Sequence, residues 1–178
     1  MADAKKVTIT VKYLPGQTPN YSFSSTLPTG NGGELIFKND NFPGFELSYT
    51  LDPESFGNLV FPNDPNLALA SAVIENGVNK CPQSGTIWDG FKPVPNKSTN
   101  QTLVVRNPNG KLPPGKDQEL FGYTLFVTAD PNGDPADFIA LDPIGSNQNG
   151  SSRQAINSWA IIAVVIVAVG AAVYFALS

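Results

Sequence analysis

Val7-Thr-Ile-Thr-Val-Lys-Tyr13 places Val7, Ile9, Val11 and Tyr13 on one side of an extended chain and Thr8, Thr10 and Lys12 on the other. A period of two is the mark of a strand with one face in a core and the other in water. The same alternation recurs in Glu34–Lys38, Phe45–Leu51, Gln101–Arg106, Gly122–Thr128 and Asp137–Leu141, and more weakly in Tyr21–Thr26 and Thr86–Phe91. Turn residues separate nearly all of these segments: Pro15-Gly16, Gly30-Asn-Gly-Gly33, Pro43-Gly44, Asn109-Gly110, Pro113-Pro-Gly115 and Asn132-Gly133. Leu67–Ile74 has a length that suits either a short helix or a buried strand. Many short strands at this spacing predict an all-β fold, an antiparallel β-sandwich of immunoglobulin-like or cupredoxin-like type. Trp88 is the expected core plug.

Residues 1–144 are expected to form this sandwich and residues 145–157, GSNQNGSSRQAIN, a flexible polar linker. Residues 158–178, SWAIIAVVIVAVGAAVYFALS, carry no charge and no proline. As a helix the apolar run reaches about 28 Å, close to a bilayer's hydrocarbon thickness, which predicts a C-terminal transmembrane anchor. Trp159 and Tyr174 stand where interfacial rings would sit. Ala168, Gly170, Ala172 and Ala176 would line one helix face with small side chains, the pattern that lets membrane helices pack closely. The amino end has no apolar run of signal-peptide length, and lone Cys81 has no internal disulfide partner. Both features point to an amino-terminal domain on the cytoplasmic side of the membrane. The four N-x-S/T sequons, at Asn20, Asn96, Asn100 and Asn149, fit chance in a chain rich in Asn, Ser and Thr.

The chain has 11 Lys and Arg, 15 Asp and Glu, no His and a net charge of −4. Basic residues scattered singly leave no footprint for nucleic acid. Without histidine, a blue-copper site, a histidine triad, a zinc hydrolase site and histidine-ligated haem are all excluded. Cys81 follows Lys80 but lacks an imidazole base, so it reads as an inert thiol. Asp130, Asn132, Asp134 and Asp137 offer oxygen ligands with partial calcium-loop spacing. However, Pro135 occupies the position where such a loop turns on glycine, and the bidentate glutamate is missing. A turn between strands is the simpler reading. No cofactor is expected.

The segment Phe121–Ile144, closing on Leu141-Asp-Pro143, resembles the carboxyl end of small bacterial β-sandwich proteins named for Asp-Pro motifs. No residue role follows from that short likeness. The overall plan, a β domain on one helix, is similar to accessory subunits of multisubunit membrane complexes, such as photosynthetic reaction-centre, light-harvesting or respiratory assemblies. By that analogy the chain would be a non-catalytic, tail-anchored structural subunit. Its partners would be the bilayer and an integral membrane protein complex whose assembly it stabilises. The alternative is a membrane-anchored extracytoplasmic adhesion or ligand-binding domain, with Trp88, Phe91 or Tyr49 as a sugar platform.

Overall fold

The structure is a computed structural model that describes residues 4–28, 34–39, 43–74, 82–108, 118–141 and 143–149. β1 (Lys5–Tyr13) buries Val7, Ile9 and Val11 and exposes Lys6, Thr8, Thr10 and Lys12, so its period of two is used in full. It turns back as β2 (Tyr21–Ser25), paired antiparallel with Tyr13 opposite Tyr21. The chain then crosses to a second sheet as β3 (Leu35–Asn39) and returns as β4 (Phe45–Leu51). β4 lies on the other side of β1 and runs parallel to it, from Lys5 opposite Phe45 to Val11 opposite Leu51.

Two single-turn helices follow, α1 (Pro53–Phe56) and α2 (Pro65–Ala68). Asp64 caps α2 by accepting from the Asn66 amide at 2.9 Å, and Pro65 fits the first turn, where no amide partner is needed. The ambiguous segment Leu67–Ile74 divides: α2 ends at Ala68 and β5 (Leu69–Val73) starts at once. The remaining strands are β6 (Lys92–Pro93), β7 (Thr102–Asn107), β8 (Gln118–Val127), β9 (Ile139–Leu141) and β10 (Ile144–Asn149). One sheet has the order β2-β1-β4-β7-β6, here sheet A; sheet B has the order β3-β10-β8-β5, with β9 also on β8.

The core lies between the two sheets. Ile9, Val11, Leu47, Tyr49, Leu103 and Val105 of sheet A meet Leu35, Phe37, Leu69, Phe121, Tyr123 and Leu125 of sheet B, all buried. Ring contacts join the layers, with Phe37 and Phe45 at 5.3 Å between centroids and Tyr49 and Tyr123 at 6.1 Å. Phe91 sits between them, 4.8 Å from both Phe121 and Tyr123.

Several expectations need correction. The sheets are mixed: β1 with β4 and β10 with β3 are parallel pairs. The cause is connectivity, because a strand in the opposite sheet serves as the crossover that parallel neighbours require. Thr86–Phe91 forms a turn closed by Phe91 N–H donating to the Trp88 carbonyl at 2.9 Å. Residues 145–149, the start of the expected linker, belong to strand β10, which is paired on both sides. Two backbone ladders hold it, and ladders are indifferent to a polar composition.

The expected C-terminal transmembrane helix is corrected as well. Among the described residues no helix is long and apolar enough to cross a membrane, and both α-helices have four residues. The structure is a mostly β fold with two small helices and does not support the membrane, tail-anchored and photosynthetic assignments. Residues 158–178, and with them Trp159, Ala168, Gly170, Ala172, Tyr174 and Ala176, lie outside the described residues.

Gly44 marks where the chain re-enters sheet A. Its φ is +107°, and a Cβ there would stand 2.5 Å from the Asn107 carbonyl oxygen and 2.6 Å from that of Pro108. Its own carbonyl accepts from Lys5 N–H at 2.9 Å, which fixes the first rung beside β1. Gly44→Ala is therefore expected to destabilise the fold by about 2 kcal/mol or more, from backbone strain and the steric clash together. Urea unfolding measures this directly, and a loss under about 0.5 kcal/mol would show that the entry to β4 tolerates a side chain.

Candidate functional site

The strand registers assemble a polar surface on the outer face of sheet A. Lys6 of β1 stands opposite Glu46 of β4, Glu46 opposite Arg106 of β7, and Arg106 opposite Lys92 of β6. Lys97, in the 3-10 turn Pro95–Lys97, forms an ion pair with Glu46. Lys92 pairs with Asp89 at 3.0 Å. Lys12 lies farther along β1, opposite Ser22. Five cations thus share this face with two carboxylates.

Beside the charged row runs a row of hydroxyls. Ser24 of β2 is opposite Thr10, Thr10 opposite Thr50, and Thr50 opposite Thr102. Thr8 and Ser48 form a shorter row between the two. Adjacent strands lie about 4.8 Å apart, so these groups form a regular array of donors and acceptors. Exposed ion pairs of this kind add little to stability, which leaves the charges available for recognition.

Acidic residues gather elsewhere. Asp52, Glu54 and Asp64 follow β4, and Asp130, Asp134 and Asp137 lie between β8 and β9. The two segments adjoin, since Val60 bridges Thr128 and Asn63 N–H donates to the Pro131 carbonyl at 2.9 Å. The four suggested calcium ligands lie in this region, and two of them, Asp130 and Asp134, serve the turn itself. Asp130 accepts from the Asn132 amide at 3.0 Å and Asp134 from the Ala136 amide at 2.9 Å. The Asn132 side-chain oxygen accepts from Asn63 Nδ2 at 2.9 Å. Pro135 starts the 3-10 turn Pro135–Asp137. Among the described residues, no group of three or more His, Cys, Asp or Glu is placed to hold a metal ion.

Of the three rings offered as a sugar platform, two are withdrawn into the core. Tyr49 and Phe91 are fully buried in the core. Trp88 is half-buried, 5.5 Å from Phe121, and lies against Gly90 so closely that a Cβ there would be 2.2 Å from the indole. Cys81 lies outside the described residues.

Inside the sandwich, three buried hydroxyls are matched to polar partners. Ser71 accepts from the Trp88 amide at 3.0 Å and donates to the Phe91 carbonyl at 2.6 Å, which locks the 88–91 turn onto β5. The hydroxyls of Tyr49 and Tyr123 share a hydrogen bond of 3.2 Å between the sheets. Burial raises both phenols above the ordinary tyrosine range, so both stay neutral in the folded protein. They are structural groups, sealed from any substrate.

No family model matches the chain, and the comparison with curated proteins finds no match. A crystal structure of the inclusion body protein PixA from Burkholderia cenocepacia is similar at 10% identity with a TM-score of 0.34. The match covers 85% of this chain and 97% of that one. At that score the likeness carries no argument about fold or role.

The tyrosine pair generates two expectations. Tyr49→Phe and Tyr123→Phe should each cost about 1–3 kcal/mol by stranding the other hydroxyl, and the double variant should cost less than their sum. Additive losses in denaturant melts would show that the hydroxyls are not coupled. The unfolded chain releases both phenolic protons near pH 10 while the folded chain keeps them. Stability is therefore unaffected by this pair below that pH and falls above it, by up to about 1.4 kcal/mol per pH unit for each tyrosine. The double Phe variant should lose this part of the alkaline slope.

Proposed function

We propose that this chain is a non-catalytic structural and interaction subunit that docks, through the outer face of sheet A, onto an acidic surface of a larger protein assembly. The observation that supports this reading is the cross-strand row Lys6–Glu46–Arg106–Lys92, with Lys12 and Lys97 beside it and a hydroxyl array alongside. Cations on a sheet face steer an acidic partner and fix its orientation, while Ser and Thr hydroxyls supply hydrogen bonds of either sense. The partner is an acidic protein surface because the cations are few, interleaved with Glu46 and Asp89, and set on a chain of net charge −4. A phosphate polymer would be repelled by the acidic end of the same molecule. The buried hydroxyls of Tyr49, Tyr123 and Ser71 are committed to each other and to backbone, which fits a structural role.

Affinity capture of the full-length chain from its native cells, with cross-linking and mass spectrometry, tests the reading. A triple variant Lys6→Gln, Lys12→Gln, Arg106→Gln should lower recovery of the captured assembly at least tenfold with an unchanged melting temperature. Raising salt from about 0.1 M to about 1 M should act in the same direction, since the Debye length shrinks from about 10 to about 3 Å. Recovery insensitive to both changes would reject docking through this face.

A further inference from the structure

Each sheet exposes strand edges, and an edge leaves backbone groups in need of partners. Four edge strands are covered, bonded or kept short by the chain itself. β5 is covered where Ser71 N–H donates to the Thr86 carbonyl at 2.8 Å. β3 is joined by the Pro28 carbonyl, which accepts from Ile36 N–H at 2.9 Å. β6 has only two residues, one of them Pro93, which has no amide hydrogen to offer. β9 is three residues long, and its Ala140 carbonyl accepts from Asn20 Nδ2 at 3.4 Å.

β2 is different. Its sequence, Tyr21-Ser-Phe-Ser-Ser25, contains no charge and no proline, so it lacks the usual devices that keep an edge from pairing. Leu14 N–H donates to the Asn20 carbonyl at 2.7 Å, which sets the phase of the β1–β2 ladder. With Tyr13 opposite Tyr21, the backbone groups of Ser22 and Ser24 turn toward β1. Those of Phe23 and Ser25 then face outward, and among the described residues no group pairs with them.

We propose that β2 is a self-pairing edge that joins two copies of this chain in antiparallel fashion, with Ser24 on the two-fold axis. This goes beyond the docking role of the sheet face and does not depend on it. In this register Phe23 of one copy stands opposite Ser25 of the other, so the free backbone groups of both residues are used in each half. Ser24 meets Ser24 across the axis, and no like charges are brought opposite each other. The row Ser24–Thr10–Thr50–Thr102 then continues without a break into the same row of the second copy. An isologous contact of this kind closes on itself and stops at two. One strand pair forms a small interface, so the dimer belongs to the weak, concentration-dependent class.

The register makes the test specific. Ser24 pairs across the axis at a site without backbone hydrogen bonds between the two strands, where Cα atoms lie about 4.5 Å apart, within disulfide range. In full-length protein carrying Cys81→Ser, Ser24→Cys should form a disulfide dimer under a glutathione redox buffer at least ten times faster than Ser22→Cys. Ser24→Lys and Ser24→Glu should each weaken dimerisation at least tenfold in sedimentation velocity, and an equimolar mixture of the two should restore the dimer. Circular dichroism melts of the single variants, expected to match the parent, separate lost pairing from lost folding. Equal cross-linking at positions 22 and 24, a monomeric parent at high concentration, or a dimer indifferent to Ser24→Lys would each overturn the proposal.

Discussion

The register of β1 against β4, from Lys5 opposite Phe45 to Val11 opposite Leu51, is the constraint on which both faces of sheet A depend. Side chains alternate along a strand, so a slip of one residue would turn the whole inward set to solvent. Val7, Ile9, Val11, Leu47, Tyr49 and Leu51 would exchange places with Lys6, Thr8, Thr10, Glu46, Ser48 and Thr50. Each large apolar side chain contributes roughly 1.5–3 kcal/mol by leaving water, so no slipped pairing competes. The inner face is thereby locked, and the outer face is locked with it. The order of cations and hydroxyls across sheet A follows from where the core residues must point.

Local structure was legible wherever one residue's neighbours decide it. Phe45–Leu51 alternates cleanly and is β4 with the same limits, and Val7–Tyr13 lies within β1. Pairing was not legible, because alternation reads the same in parallel and antiparallel ladders. Gly145–Asn149 shows the opposite failure: its composition reads as linker, yet two neighbouring strands claim its backbone. Thr86–Phe91 alternates, but Ser71 captures its amide and carbonyl groups and bends it into a turn. Tyr49 and Phe91 could be taken for a ligand platform only while their burial was unknown.

The candidate site was hidden for the same reason as the pairing. Lys6, Lys92 and Arg106 lie in three separate segments of the sequence. Only the cross-strand register brings them into one row with Glu46. A signal did exist in the outward positions of each strand: Thr8-x-Thr10, Ser48-x-Thr50 and Ser22-x-Ser24 all alternate a small hydroxyl with a core residue. Asp130, Asn132, Asp134 and Asp137, by contrast, stand close together in the sequence, and Asp130 and Asp134 accept the backbone bonds that hold their turns.

Polar groups in this molecule divide by position into those that hold the fold and those that face outward uncommitted. Tyr49, Tyr123 and Ser71 bond to one another or to backbone inside, where an unpaired group would be costly. Lys12 and the hydroxyl rows lie outside, where the fold gains little from them. The edges follow the same division, since β5, β3 and β6 are closed by chain segments or proline while β2 keeps a neutral edge beside the hydroxyl row. A sheet that needed only to remain soluble would place a lysine on that strand. Ser22 and Ser24 instead keep the edge neutral and small, as a surface that continues across a neighbour requires.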